Sequence, residues 1–140
     1  MSRDSLEVVV GLRRLEERQR RVELVRRLGD VERAKASLGV PPETGALVEG
    51  LPTESFLAER ARLHTAWAVY GARLERSERA TSAEAGARSA WATAAADLRS
   101  AERLLGRRRH RAHAEAARRA QRDMDEVAIV GWRRGRGRRS

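Results

Sequence analysis

Apolar residues recur at helical spacing over the first forty positions of the chain. The intervals between them are three, four or multiples of these, so they form one row on a helix: Val8, Leu12, Leu15, Val22, Val25, Leu28, Val31 and Leu38. Asp4 or Ser5 can cap the start of this helix. Gly39 suits its end, and the Pro41-Pro42 pair cannot continue it. The pattern predicts a first helix over residues 4–38.

A second helical pattern follows a connection at 39–54 that is rich in proline and glycine. Thr53 can cap its start. Intervals of four and three then separate Phe56, Arg60, Leu63, Trp67, Tyr70 and Leu74, and the same frame returns at Trp91, Ala95, Leu98 and Leu105. This is the spacing of a heptad seam, and it predicts a helix over residues 55–130.

The stretch 75–90 is the weakest part of the second helix. Ser77, Thr81, Glu84 and Arg88 occupy its seam positions, and Gly86 lowers helix propensity. Two arrangements stay open: a continuous helix about twice as long as the first, or a break near residue 80 that folds the chain back. Downstream, the row shifts frame to His113, Ala117, Ala120, Met124 and Val127.

These patterns predict an all-α fold, an antiparallel two-helix coiled coil. The long helical hairpin would occupy residues 1–130. Residues 131–140, GWRRGRGRRS, have no apolar spacing, and we expect them to form a basic disordered tail.

Composition narrows the possible functions. The chain has no cysteine, which excludes disulfides and thiolate metal sites. No secretory signal and no run of about 20 apolar residues is present, so we expect a cytoplasmic protein without a membrane span. The net charge is +10, and residues 99–140 hold 14 arginines against 5 acidic residues. Such a segment attracts acidic surfaces of any kind.

Catalytic chemistry finds little support in the sequence. There is no phosphate-binding loop and no nucleophile elbow. His110 and His113 could share a helix face with Glu102 or Glu115, but neighbouring arginines would repel a divalent cation. The acids Asp123, Asp125 and Glu126 lack the cleft that acid/base catalysis needs, and helix pairing with Arg119 and Arg122 is the simpler role. We expect no enzyme activity, no metal and no cofactor.

Two further surfaces have alternative interpretations. Phe56, Leu63, Trp67 and Tyr70 are either seam residues or a docking patch at the tip of the hairpin. The arginine-rich third fits nucleic-acid binding in charge alone. It has a single aromatic residue, Trp132, and no recognised DNA-binding layout, so we expect no specific nucleic-acid partner.

The segment 118–128, RRAQRDMDEVA, places three acids and two apolar residues among arginines. Met124 and Val127 are three apart and share a helix face, which suits a protein contact. The segment contains the pattern Gln121-x-x-Met124-Asp125-Glu126-x-Ala128. The first helix opens as Leu6-Glu7, and the second restarts at Phe56-Leu57-Ala58-Glu59. Together these features resemble the flagellar export protein FliJ family, which includes the YscO-type stalk proteins of type III secretion.

The resemblance implies a non-catalytic stalk and chaperone escort in flagellar type III protein export. Its implied partners are the hexameric export ATPase, the membrane protein of the export gate and export chaperones, at the inner face of the cell membrane. The residues implied on the ATPase side are Arg118, Arg119, Gln121, Arg122, Met124, Asp125, Glu126 and Val127. Those implied on the gate side are Phe56, Arg60, Leu63 and Trp67.

The chain departs from the family pattern in its short first helix, which ends before Pro41-Pro42, and in its basic tail. Two other functions stay open on the sequence alone: a basic helical nucleic-acid-binding protein and a coiled-coil scaffold unrelated to export.

Overall fold

The structure is a computed structural model that describes residues 3–43 and 52–139. In these ranges the chain forms two long helices packed against each other and no strand, which confirms the all-α prediction. Helix α1 spans Arg3–Leu38 and helix α2 spans Thr53–Gly137. Outside the description lie most of the predicted connection (44–51), residues 1, 2 and 140, and the side chain of the cap candidate Asp4.

The ends of both helices follow from local chemistry. Gly39, directly after α1, has φ 70°, the left-handed conformation that glycine adopts without steric cost. At the start of α2, the Phe56 amide donates a hydrogen bond to the Pro52 carbonyl at 3.0 Å. Proline is tolerated at that position because its missing N–H has no helical partner there.

Helix α2 continues through one segment where the sequence leaves a break possible and through another where it predicts disorder. Residues 75–90 are helical without a break, and the Thr81 hydroxyl is satisfied by the Ser77 carbonyl at 3.0 Å. Residues 131–137, expected to be disordered, extend the helix to Gly137. Arginine is a good helix former, and Arg136 lies 4.4 Å from the ring centre of Trp132 one turn earlier, a cation–π contact that favours the helical state.

The chain divides into two compact units, each containing part of both helices. We call Met1–Arg14 with Ala96–Ser140 the terminal unit and Leu15–Ala95 the central unit. In the terminal unit, a small apolar core consists of Leu6, Val10, Ala101 and Leu105, with Leu98 packed against it. Arg14 bonds Glu102 at 3.3 Å and Arg109 bonds Glu7 at 3.4 Å, so the helices of this unit run antiparallel.

In the central unit, large and small residues alternate along the side of α2 that packs on α1. The large ones include Leu63, Tyr70 and Trp91. The small ones are alanines at heptad spacing or twice that spacing, all buried or half-buried: Ala66, Ala80, Ala87 and Ala94. Alanine at this position lets two helix backbones approach closely, since it occupies little of the space between them.

The structure corrects the predicted row on α1. Most of those side chains are exposed: Val8, Leu12, Leu15, Val22, Val25 and Leu28. Only Val31 and Leu38 of that row are half-buried. The buried positions on α1 are Leu6 and Val10 in the terminal unit, and Glu17, Leu24 and Ala34 in the central unit. Helix α1 therefore has two apolar sides, and α2 packs on the one with fewer large residues.

The predicted frame of α2 is correct at most of its positions. The buried or half-buried ones are Phe56, Leu63, Tyr70, Trp91, Ala95, Leu98 and Leu105. The alternate positions Arg60, Trp67 and Leu74 are exposed, and the inner row lies one residue earlier, at Glu59 and Ala66.

A carboxylate lies within the helix contact of the central unit. Glu17 is 5% exposed, and its Oε1 accepts hydrogen bonds from the Trp91 indole N–H at 2.9 Å and from Arg21 Nη2 at 2.6 Å. The Trp91 bond first, and then the Arg21 bond, hold the pKa of Glu17 below its ordinary value of 4.5. Since only one register of the two helices joins this acid to this indole, the pair specifies the alignment of the central unit.

We expect the Glu17–Trp91 bond to make stability depend on pH. The lowered pKa means that the folded state holds the ionised carboxylate, so the stabilisation is complete above pH 4.5 and is lost as the pH falls through the folded pKa. Glu17→Gln should therefore be less stable than wild type at pH 7, and the difference should shrink in acid. Thermal melts of both proteins from pH 7 to pH 3 measure it.

The control for this prediction is Glu32→Gln, an exposed carboxylate on the same helix. Its difference from wild type should stay small at all pH values. A Glu17→Gln difference that does not depend on pH would show that the ionised state of Glu17 contributes nothing to the pairing.

Candidate functional site

The distal part of α2 extends past its last ion pair with α1. Arg109 is the last residue of α2 that bonds α1 among the described residues, through Glu7. From His110 to Gly137 every side chain is exposed except the half-buried Ala114. We call residues 110–137 the arm; at about 1.5 Å per residue it is roughly 40 Å long.

The arm contains the whole segment 118–128 that the sequence indicates as a binding site. All eight residues expected on the ATPase side are exposed, and Met124 and Val127 retain 66% and 73% of their accessible surface. The helix places these two side chains on one side, one turn apart. They are available to a partner because nothing in the described chain packs against them.

The acidic residues of this segment do not pair as the sequence suggests. Asp125 Oδ1 accepts a hydrogen bond from Gln121 Nε2 at 2.9 Å, one turn earlier. Within the described part of the chain, Asp123 and Glu126 form no ion pair with Arg119 or Arg122. These charges are therefore directed to solvent, and a partner could use both signs.

The apolar surface of the arm extends beyond the segment that the sequence indicates. Ile129, Val130 and Trp132 are also exposed, so five large apolar side chains lie within nine residues: Met124, Val127, Ile129, Val130 and Trp132. We call these five residues the apolar tip. Sequence reasoning missed Trp132 because it treated residues from 131 on as a disordered tail, and it missed Ile129 and Val130 because it ended the binding segment at residue 128. The signal was present in the unbroken run Ala128–Val130 and in Trp132.

The gate-side residues separate into two pairs in the central unit. Phe56 and Leu63 are half-buried, whereas Arg60 and Trp67 are exposed. The Trp67 ring contacts Tyr70 edge to face, with centroids 5.9 Å apart and an interplanar angle of 86°. Arg60 and Trp67 are seven residues apart and share one side of α2, so of the four they are the pair a partner could reach.

Residues 3–43 and 52–139 contain no cluster of three histidine or acidic residues arranged to hold a metal ion. No helix in these ranges is both long enough and apolar enough to cross a membrane. Comparison of the chain with known protein families, with curated proteins and with solved structures gives no match.

Proposed function

We propose that this protein is a non-catalytic stalk of the flagellar type III export apparatus, which binds the hexameric export ATPase and links it to the export gate. The observation that supports this role is the arm, a stretch of 28 helical residues in which every side chain except that of Ala114 is exposed, and which ends in large apolar residues. A helix that only completed its own hairpin would not need that surface.

The proposed stalk is an antiparallel coiled coil with one helix much longer than the other. Alternating large and alanine positions in the central unit support this geometry. The shorter helix stiffens the base of the longer one, and the free end can then enter the pore of a ring. As a peripheral component at the inner face of the cell membrane, the protein would also escort export chaperones to the gate.

The apolar tip is the proposed anchor in the ATPase ring. Met124 and Val127 would fill apolar pockets, while Arg118, Arg119 and Arg122 would complement acidic residues of the ring. Gln121, Asp125 and Glu126 would complete the polar rim around that anchor. On the gate side, the exposed pair Arg60 and Trp67 would make the contact, and Phe56 and Leu63 would support it from inside the hairpin.

The test is stimulation of the export ATPase by the purified protein. We expect Met124→Asp with Val127→Asp to raise the concentration needed for half-maximal stimulation by roughly tenfold or more, because two buried anchors would be lost. The matched control is Val22→Asp with Val25→Asp, which makes the same kind of change at two exposed positions of α1. The control should stimulate like wild type.

Two outcomes would contradict the proposal at different levels. If the wild-type protein does not stimulate the export ATPase of the same organism, the proposed stalk function is wrong. If the tip variant and the α1 control stimulate the ATPase equally, the proposed function stands but the apolar tip is not its binding site.

A further inference from the structure

Arginines of the arm and its base are arranged in a repeated pattern. The motif Arg-Arg-x-x-Arg occurs at 107, 108 and 111, and again at 118, 119 and 122. The two copies are eleven residues apart, which is three helical turns plus about 20°, so they lie on the same side of α2. We call these six residues the arginine face: Arg107, Arg108, Arg111, Arg118, Arg119 and Arg122.

The arginine face is concentrated on one side of the helix. At about 100° per residue, Arg107, Arg111, Arg118 and Arg122 fall within an arc of roughly 60°. Arg109 lies on the other side of the helix, where it bonds Glu7. The face extends about 22 Å from Arg107 to Arg122, at about 1.5 Å per residue.

Five of the six charges on this face have no partner among the described residues. Among the described residues, every ion pair uses an arginine at position 109 or earlier. Arg107, Arg111, Arg118, Arg119 and Arg122 form neither an ion pair nor a hydrogen bond in the described chain. The hairpin therefore pairs many of its arginines, and the segment that follows leaves most of its own available.

The composition of residues 106–122 indicates which kind of ligand fits. The segment has seven arginines and one acid, Glu115, and no aliphatic residue larger than alanine and no aromatic residue. It therefore cannot insert apolar side chains into a bilayer or supply the apolar anchors of a protein interface. What it offers is a line of guanidinium groups, which bind phosphate oxygens with two parallel hydrogen bonds.

We propose that the arginine face binds the phosphate backbone of duplex nucleic acid without reading its sequence. A duplex presents about one negative charge per 1.7 Å of axis, enough to meet all six arginines over the length of the face. The proposed contacts are to phosphate oxygens, which every base pair presents, so the binding does not depend on the sequence. The face shares Arg118, Arg119 and Arg122 with the proposed ATPase contact, whereas Arg107, Arg108 and Arg111 lie outside that contact.

The test is fluorescence anisotropy with labelled DNA duplexes of about 24 base pairs in two unrelated sequences, from ~50 to ~200 mM salt. Phosphate contacts by the five unpaired arginines give a slope of log affinity against log salt of about −4.5, equal for both sequences. Arg107→Gln with Arg111→Gln should reduce this slope by about 2 and weaken binding roughly tenfold or more at the lower salt.

The matched control is Arg73→Gln with Arg76→Gln, which removes the same charge from two exposed positions elsewhere on α2. It should keep the wild-type slope. Circular dichroism of both variants checks that their helices are intact. Poly-glutamate and vesicles with ~30% phosphatidylglycerol, added as competitors at equal charge, identify the class of ligand.

Three results would overturn the inference: equal slopes for the two double variants, competition by poly-glutamate as effective as unlabelled duplex, or competition by the vesicles as effective as the duplex. The variant at 107 and 111 leaves the whole segment 118–128 unchanged. ATPase stimulation by this variant therefore reports on the export proposal independently of DNA binding.

Discussion

We expect Val10→Asp to lower the free energy of unfolding by about 3 kcal/mol or more, because it buries a carboxylate without a partner. Val10 is 2% exposed and packs in the core of the terminal unit with Leu6, Ala101 and Leu105. Urea unfolding followed by circular dichroism at 222 nm measures the change, since nearly all the signal is helical.

The control is Val8→Asp, two residues earlier on the same helix. Val8 is 59% exposed, so this variant should lie within about 0.5 kcal/mol of wild type. Both positions lie near the N-terminus of α1, so the helix dipole affects the two aspartates similarly. The reverse order of stabilities would mean that α1 uses the row Val8, Leu12 and Leu15 for packing.

The second large effect concerns the alanine row of the central unit. Ala94→Leu should cost about 1–3 kcal/mol, because leucine does not fit between helices that approach at alanine. Ala94 is 4% exposed, whereas Ala92, two residues earlier, is exposed and offers the same substitution as a control. Leucine and alanine have similar helix propensities, so Ala92→Leu should be close to neutral.

The same urea unfolding experiment measures both alanine variants. Equal stability of Ala94→Leu and Ala92→Leu would show that the alanine row does not set the distance between the helices. A stabilised Ala94→Leu would show that the contact contains unfilled space.

The ends of the helices were easier to predict from the sequence than the sides that pack. Pro41-Pro42 and Gly39 act locally, through the backbone, and α1 ends at Leu38 as these residues require. Which side of α1 packs is a nonlocal property. It depends on α2, where small residues such as Ala94 and Ala101 are buried and large ones such as Trp67 are exposed. A prediction based on the number of large apolar residues therefore selects the wrong row on α1.

The exposure of the candidate site follows from the lengths of the two helices, which can be predicted from the sequence. A first helix of 36 residues cannot cover a second of 85, so part of α2 had to remain without a partner. The sequence could not show that Trp132 and Arg136 continue the helix, because glycines at 131, 135 and 137 favour the opposite conclusion. The contact between Trp132 and Arg136, which are one helical turn apart, offsets the low helix propensity of these glycines.

The unpacked arm also changes how its folding should be described. An isolated helix must form a costly first turn, whereas the arm continues a helix already formed at Leu105 and Arg109. Its persistence then depends on propagation through residues rich in alanine and arginine, both strong helix formers. The hairpin is thus the nucleus for a segment that it barely contacts. If the helices of the terminal unit separate, the arm should unfold from its base. While they stay paired, fraying should begin at the other end, at Gly137.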